Sequence, residues 1–320
     1  MGTASPACVR VRVPAKINLF LRVGGLRPDG FHELVTVFQT VSIHDTVTAE
    51  LDVSGASAHP ASRRFMELSF VTEAGSEVPR DGDNLAVRAA RALMEHVGIG
   101  TAEPGSVPSP PVTTLHLDKR IPVAAGMAGG SADAAAALVA LNHLWQADLD
   151  RGELRELGAG LGADVPFCLG GGTALATGTG TATAQVLSRG TYHWVIGVTA
   201  RPLPTPAVYR AFDEVGVQSS VEPDAVLQAL RTADGEALGS ALHNDLEAAA
   251  FHLLPQLKAQ RDAMLAAGAL GAMVSGSGPT LVALAESAQH AVQLAGALES
   301  TFDRVEVAFS PAGGPEVSTA

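Results

Sequence analysis

The chain opens with a strict alternation of apolar and polar residues between Cys8 and Val23. Successive side chains of a β-strand point to opposite faces, so this alternation predicts a strand. Pro14 cannot donate to a strand ladder and therefore predicts an edge or a bend. Lys16 and Asn18 share the more polar face. From spacing alone, Lys16 is equally well a solvated lysine at a strand edge or a functional cation.

Helical periodicity and short strands alternate along the rest of the chain. Apolar spacing predicts helices over residues 83–96 and 151–161, with Asp83 or Asn84 placed to cap the first. Further helices are predicted over residues 221–233, 241–254, 255–268 and 287–302, and further strands within 113–117, 194–199, 271–284 and 304–309. The length allows two domains or one large one. The pattern favours a domain change near residue 190, which would divide the chain into residues 1–190 and 191–320, with an α+β second half.

Composition narrows the class of protein. The chain has 320 residues, of which 47% are apolar, enough for a substantial core. A formal net charge of −12 argues against a nucleic-acid partner, which would need a basic face. Two cysteines, Cys8 and Cys168, cannot form a disulfide framework. The opening residues lack the pattern of a signal peptide, and no apolar run reaches about 18 residues, so we expect a cytoplasmic protein with no membrane partner.

A loop of small residues between Ile121 and Ser131 links a predicted strand to a predicted helix over residues 132–145. Small residues let the backbone approach a ligand, and the free N–H groups at a helix start favour an anion. Lys119 and Arg120 add positive charge just before the loop. Ser131 is placed to cap the helix or to contact a bound cation. The alternative is a packing loop beneath a capped helix.

A single carboxylate, Asp164, lies in the otherwise uncharged run of residues 162–172. An isolated acid in such surroundings is costly unless it is paired or used. The alternative is that Asp164 caps a helix end or closes a turn. Pro166 predicts that Val165 is extended and that the preceding helix ends there.

Residues 28–30, Pro-Asp-Gly, predict a turn that presents Phe31 and His32 at the head of a β-rich run. An aromatic ring beside a histidine can hold a flat base by stacking and hydrogen bonding. More often, such a phenylalanine packs into the core.

Three stretches resemble, in order, the motifs of the GHMP kinases, small-molecule kinases named for galactose, homoserine, mevalonate and phosphomevalonate. They are residues 14–19 (PAKINL), 126–131 (GMAGGS) and 274–280 (VSGSGPT). Five segments together resemble the branch of this family whose substrate is an alcohol joined to cytidine diphosphate: residues 14–21 (PAKINLFL), 29–34 (DGFHEL), 83–85 (DNL), 140–145 (ALNHLW) and 161–166 (LGADVP).

The resemblance implies the two-domain α+β GHMP kinase fold, with an N-terminal ATP-binding domain and the active site in the inter-domain cleft. It implies ATP-dependent phosphorylation of the 2-hydroxyl of a methylerythritol linked to cytidine diphosphate, on the non-mevalonate route to isoprenoid precursors. Asp164 would take the hydroxyl proton, while Lys16 positions Asp164 and offsets negative charge. MgATP is the implied cofactor, with Ser131 as the one candidate metal contact.

Other site residues follow from their match to the family motifs. The expected ATP-binding residues are Asn84, Lys119, Pro122, Val123, Ala124, Ala125, Gly126, Met127, Ala128, Gly129, Gly130, Ser131 and Ala132. The expected substrate-binding residues are Phe31 and His32, which would hold the cytosine, and Asn18, Thr205 and Pro206 along the rest of the groove.

The chain departs from the family pattern at several positions. Phe31 stands where relatives more often have tyrosine, so stacking survives while a hydroxyl contact is lost. Ala124, Ala125 and Ala128 stand where glycine is common, which tightens the loop. Asp133, in the first turn of the helix, would repel phosphate unless it points away or helps to hold Mg²⁺.

Two other functions stay open. One is a GHMP kinase for a different small alcohol, such as mevalonate or homoserine, and the motif at residues 29–32 argues against it. The other is a catalytically inactive ligand sensor, which the presence of both Lys16 and Asp164 disfavours. We expect a monomer or a weak homodimer.

Overall fold

A computed structural model of the chain describes residues 8–51, 66–71, 78–99, 113–123, 126–215 and 219–319. Ala124 and Ala125, both predicted to bind ATP, lie outside the described residues. The strands are β1 (Cys8–Leu26), β2 (His32–Leu51), β3 (Met66–Phe70), β4 (Thr113–Asp118), β5 (Thr173–Gly178), β6 (Ala182–Gln185), β7 (Tyr192–Val198), β8 (His243–Asn244), β9 (Gly271–Val274), β10 (Leu281–Ala285), β11 (Arg304–Ser310) and β12 (Glu316–Thr319). The helices are α1 (Leu85–His96), α2 (Gly129–Leu144), α3 (Arg151–Leu161), α4 (Val165–Gly170), α5 (Thr205–Val215), α6 (Asp224–Thr232), α7 (Gly235–Ala241), α8 (Glu247–Leu253), α9 (Gln256–Ala266) and α10 (Ala288–Leu298).

Strand β1 lies inside the larger sheet, whose order is β12-β1-β2-β4-β3, with β5 and β6 attached to β2 and the short β8 attached to β1. Strands β1 and β2 pair antiparallel from Cys8 opposite Glu50 to Leu26 opposite His32. The register shifts between Pro14 and Ala15, where the proline supplies no N–H. The predicted strand is confirmed, and the proline produces an irregularity within it.

Both faces of β1 are buried from Val13 to Leu21. Helix α2 packs on β1 and β2, and its residues from Ala132 to Leu138 are all buried. The small alanine side chains of this run let the helix approach the sheet closely. A helix that is apolar all round belongs in a core. Lys16 and Asn18 are therefore buried, with exposed fractions of 5% and 2%, and the interpretation of Lys16 as a solvated strand-edge lysine is wrong.

The smaller sheet has the order β11-β7-β10-β9, with all of its pairs antiparallel. Helices α9 and α10 pack against it, and α5 packs against α8. The final strand, β12, returns to the larger sheet and pairs with β1. The division at residue 190 stays a prediction. Within the described part of the chain, every helix is too short or too polar to cross a membrane.

Several elements differ from the predicted pattern because tertiary contacts decide them. The predicted helix over residues 241–254 is divided by β8, which pairs in parallel with β1. The Asn244 side chain fixes this break by donating to the carbonyls of Val274 and Gly276, both at 2.8 Å. Helix α5 and strand β12 were not predicted at all.

Two local predictions around the candidate site are wrong. Val165 is helical rather than extended, because Pro166 lies in the first turn of α4, where a missing N–H costs nothing. Ser131 does not cap α2: the cap position is Ala128, and no side chain caps the helix. Ser131 lies instead inside the first turn. The predicted caps at Asn84 for α1 and the exact bounds of α3 are confirmed.

Candidate active site

A cavity of about 770 Å³ is lined both by the larger sheet with its helices and by segments near the smaller sheet. Thirteen of the predicted site residues lie on its wall: Lys16, Asn18, Asn84, Lys119, Pro122, Val123, Gly126, Ala128, Gly129, Gly130, Ser131, Asp164 and Thr205. The described residues Met127, Ala132, Phe31, His32 and Pro206 do not line it. Distant parts of the sequence therefore converge on one cavity.

Lys16 reaches this cavity from β1 and lies beside Asp164. Its Nζ is 3.5 Å from Asp164 Oδ2 and donates to Asn18 Oδ1 at 3.0 Å. Asn18 Nδ2 donates to the Thr36 hydroxyl at 2.8 Å, and that hydroxyl donates to the Phe20 carbonyl at 2.7 Å. Each polar group in this buried series has a defined partner, so the direction of the ammonium group is fixed.

Asp164 occupies the position before α4, but its carboxylate does not cap the helix. Its side chain is 30% exposed, whereas that of Lys16 is 6% exposed. A carboxylate that no backbone N–H uses, and that faces a cavity, can accept a proton from a ligand. Burial, with a smaller contribution from the charge of Asp164, raises the pKa of Tyr209 to about 12. Tyr209 therefore faces the same site as a neutral phenol.

The start of α2 provides free backbone donors to the cavity. Ala128 is left-handed, with φ of 57°, and the N–H of Ala132 is the first to bond within the helix, to the Ala128 carbonyl at 2.8 Å. The amides of Gly129, Gly130 and Ser131 precede it and have no intrahelical partner. Together with the positive end of the helix dipole, these amides favour an anion at this wall.

A second glycine turn supports the loop before α2. Gly126 has φ of +69°, and a Cβ there would lie 2.2 Å from the Ser275 carbonyl oxygen. The Ser275 hydroxyl donates to the Gly126 carbonyl at 3.4 Å, across 149 positions of sequence. Only glycine satisfies both the left-handed backbone and the close approach. The motif at residues 274–280 therefore braces the motif at residues 126–131.

Lys119 is enclosed by two buried carboxylates. Its ammonium contacts Asp45 and lies 2.6 Å from Asp133 Oδ2 and 3.3 Å from the Gly129 carbonyl. Burial alone would lower the pKa of Lys119, but Asp133 and Asp45 together raise it. Burial raises the pKa of Asp133, and Lys119 opposes that change. Asp133 thus faces a lysine, which offsets its charge beside the helix start.

Asp45 fixes the segment in which Lys119 lies. Its side chain has no exposed surface, and its Oδ1 accepts the N–H groups of Arg120 at 2.6 Å and Ile121 at 2.8 Å. Sequence reasoning missed Asp45; the only signal was a carboxylate inside the β-rich run after His32. The second carboxylate beside Lys119, that of Asp133, has one buried oxygen, Oδ1, with no hydrogen-bond partner. Among the residues placed by the structure, no group of three or more His, Cys, Asp or Glu is arranged around a metal site.

Known families match both halves of the chain. Residues 84–172 match the N terminal domain of GHMP kinases, and residues 226–304 match the GHMP kinases C terminal model. The 4-diphosphocytidyl-2-C-methyl-D-erythritol kinase of Salinispora arenicola (strain CNS-205) is 48% identical over 305 residues, which cover 93% of this chain and 90% of that protein. The chain belongs to the GHMP kinase family.

A further sequence relative and a solved structure are also similar to this GHMP kinase. The 4-diphosphocytidyl-2-C-methyl-D-erythritol kinase of Streptomyces coelicolor is 46% identical over 315 residues, 97% of this chain and 99% of that protein. A crystal structure of 4-(cytidine 5'-diphospho)-2C-methyl-D-erythritol kinase superimposes with a TM-score of 0.74 at 35% identity, covering 94% of this chain and 98% of that one. The chain is therefore a small-molecule kinase that uses ATP, and the predicted two-domain α+β fold is confirmed.

The predicted substrate residues of this GHMP kinase separate into two groups. Asn18 and Thr205 lie on the cavity wall, and the Thr205 hydroxyl is 2.8 Å from that of Ser277. Phe31 and Pro206 lie off the wall, and the Phe31 side chain is 64% exposed. The structure therefore brings Asn18 and Thr205 to the same cavity as Lys16, and leaves Phe31 on the outer surface.

His32 lies behind the wall rather than on it. Its Nδ1 is 3.0 Å from the Gly24 carbonyl oxygen, its Nε2 is 3.2 Å from Asp213 Oδ1, and its ring stacks on Tyr209 at 5.4 Å between centroids. Tyr209 does line the cavity, and sequence reasoning missed it. Its position one helical turn after Thr205 places the two residues on one face of α5, but α5 itself was not predicted.

Proposed function

We propose that this GHMP kinase transfers the γ-phosphoryl group of ATP to the 2-hydroxyl of 4-(cytidine 5'-diphospho)-2-C-methyl-D-erythritol, on the non-mevalonate route to isoprenoid precursors. The observation that carries the proposal is the approach of Lys16 Nζ to Asp164 Oδ2, 3.5 Å, in a cavity that the first turn of α2 also lines. The names of relatives at 46% and 48% identity support this choice of substrate.

In the proposed reaction, the substrate oxygen forms a bond to the γ-phosphorus while the bond from that phosphorus to the bridging oxygen breaks, and ADP leaves. Asp164 accepts the hydroxyl proton, since its carboxylate is open to the cavity. Lys16 holds Asp164 in place and offsets the negative charge that gathers there. Phosphoryl transfer depends mainly on positioning and charge neutralisation, which a fixed ammonium and a row of free amides supply.

The ATP phosphates would lie against the start of α2. The loop of residues 122–132 would wrap them, including Ala124 and Ala125, while Asn84 and Lys119 would lie near the nucleotide. The pairing of Lys119 with Asp133 supports this placement, because it offsets a carboxylate that would otherwise repel phosphate. Ala128 adopts the left-handed conformation that glycine takes more readily, so the loop keeps the backbone shape that a glycine at this position would give it.

Mg²⁺ accompanies ATP in this proposal. Mg²⁺ prefers oxygen ligands and usually binds through one or two carboxylates together with substrate phosphates. Two residues on the wall fit that requirement, Ser131 with its hydroxyl and Asp133 with an unpartnered buried oxygen. When bound, the ion would neutralise phosphate charge.

The alcohol substrate would occupy the opposite wall of the cavity. Asn18 and Thr205 would contact it near the reacting hydroxyl, and the ring of Tyr209 offers a flat apolar surface to its base. Phe31, His32 and Pro206 remain proposed contacts for the cytosine and the outer groove. A cytoplasmic location, a monomeric or weakly dimeric state and the absence of a nucleic-acid partner also remain predictions.

The test is the substitution Asp164→Asn, which keeps the shape of the side chain and removes its basicity. Turnover is expected to fall by about 10²- to 10⁴-fold, the usual contribution of a positioned general base, while ATP affinity stays within about twofold. Asp224→Asn, on the exposed start of α6, is the matched control and should leave turnover unchanged. Near-normal turnover in Asp164→Asn would remove Asp164 from its role.

A further inference from the structure

A second cavity, of about 410 Å³, lies away from the candidate active site. It is lined by the C-terminal part of α2, by α3, by the end of α4 and by the chain around β12. Helix α2 has 16 residues, so its two ends are about 24 Å apart at 1.5 Å per residue. Because the first cavity meets the start of α2 and the second meets its end, the two cavities are separate sites.

The titratable side chains on this second wall are all basic, and the one other polar side chain, Asn142, is bonded to the backbone of Leu149. His143, Arg151 and Arg155 line the cavity, and no Asp or Glu does. This is unusual in a chain with 33 acidic and 21 basic residues. Arg151 and Arg155 are four positions apart on α3, so they project from one face of the helix. This wall is therefore positively charged, whereas the whole chain has a formal net charge of −12.

Neither arginine has an internal partner among the residues that the structure describes. Among the residues that the structure places, no carboxylate, carbonyl or aromatic ring pairs with the guanidinium of Arg151 or Arg155. Arg155 is also partly buried, and its Nη2 lies 2.7 Å from where a Cβ on Gly170 would stand. The glycine leaves the space that this guanidinium occupies. A partly buried cation with no partner loses hydration without compensation, which an anionic ligand would restore.

The rest of the wall is apolar and includes Leu149, Leu154, Leu169 and Val317. A guanidinium presents paired donors that match the oxygens of a phosphate group. The volume lies within the usual range of about 300–1,000 Å³ for small-molecule pockets. We propose that this second cavity binds a small organic phosphate, with the phosphate between Arg151 and Arg155 and a short hydrocarbon body against the leucine side chains.

The test is calorimetric titration of the 320-residue chain with n-hexyl phosphate. Saturating ADP is present throughout, so that the phosphate site in the first cavity is occupied. We expect saturable binding with one site per chain, and much weaker binding of inorganic phosphate or hexanol, each of which lacks one half of the ligand. Arg155→Gln should weaken binding of hexyl phosphate about tenfold or more, since each charge-assisted pair contributes roughly 1.4 kcal/mol or more.

Arg151→Gln is the second variant, because this side chain is exposed and its replacement does not threaten folding. It should also weaken hexyl phosphate binding. Arg88→Gln, on the exposed face of α1 and outside both cavities, is the matched control and should bind normally. ADP affinity is measured in each variant to show that the first site is intact. Absence of binding at millimolar hexyl phosphate, or equal affinity in the native chain and the Arg151→Gln, Arg155→Gln double variant, would overturn the proposal.

Discussion

Replacement of Lys119 by methionine tests how much the buried cluster of Lys119, Asp45 and Asp133 contributes to the stability of the fold. Lys119 is the cation that pairs with Asp45 and Asp133, whose side chains are 0% and 4% exposed. Methionine fills a similar volume but brings no charge. Removal of one partner from a buried ion pair usually costs about 3–5 kcal/mol, because the remaining charge is left uncompensated.

Proton uptake by the two carboxyl groups sets an upper limit on the stability that Lys119→Met can lose. Without Lys119, the two carboxyl groups can bind one more proton than in the native cluster, which neutralises the excess charge. A carboxyl group with an ordinary pKa of 3.8 costs about 1.4 kcal/mol to protonate for each pH unit above that value, or about 4 kcal/mol at pH 7. The expected loss of stability at pH 7 in Lys119→Met is therefore about 3–4 kcal/mol.

The stability difference between Lys119→Met and the native chain should grow as the pH rises. In the variant, burial raises the folded-state pKa of the extra protonated carboxyl above its unfolded value. The stability of that protonated form is fully present below pH 3.8 and is lost as the pH rises. The deficit relative to the native chain should therefore shrink to below about 2 kcal/mol at pH 5 and grow again toward pH 7.

Urea unfolding of both proteins at pH 5 and pH 7, followed by tryptophan fluorescence, measures these differences. The double variant Lys119→Met, Asp133→Asn should recover most of the loss, because Asp45 keeps its bonds from the backbone N–H groups of Arg120 and Ile121. A deficit below about 1 kcal/mol at pH 7, or an equal deficit at both pH values, would refute this reasoning.

Three further outcomes are expected. Gly126→Ala should lose at least about 1–2 kcal/mol of stability and raise the KM for ATP, since it places a Cβ on a left-handed residue 2.2 Å from a carbonyl oxygen; thermal unfolding and initial rates measure both. Tyr209→Leu and Phe31→Ala should each raise the KM of the alcohol substrate more than that of ATP. Equal effects on both KM values would contradict the proposed contacts of these two rings with the cytosine. Burial raises the pKa of the Cys168 thiol, so at pH 8 a thiol-reactive disulfide reagent should label Cys8 quickly and Cys168 only after unfolding.

The sequence was informative where local pattern and family motif agreed. The alternation after Cys8 predicted β1, and the motif at residues 126–131 predicted the free amides at the start of α2. Neither pattern showed that Lys16 is buried, because burial of both faces of β1 depends on α2 and on the neighbouring strands. The meeting of Lys16 with Asp164 was expected from the family resemblance alone.

Other features depend on contacts between distant segments and had no local signal. Asp45 becomes important only because the backbone at residues 120 and 121 passes beside it. Helix α5 was hidden by a run of prolines, although it carries Tyr209 to the cavity. The predicted cap at Ser131 failed because Ala128 adopts the left-handed conformation, and nothing in its side chain indicates that.

The most direct test of the proposed activity is release of ADP from ATP with two alcohols supplied in turn to the native chain. We predict rapid release with 4-(cytidine 5'-diphospho)-2-C-methyl-D-erythritol, slowed about 100-fold or more by Asp164→Asn, and no release above background with mevalonate. Release with mevalonate and none with the cytidine-diphosphate alcohol would contradict the proposed substrate. Release at a near-native rate in Asp164→Asn would contradict the proposed role of this carboxylate beside Lys16.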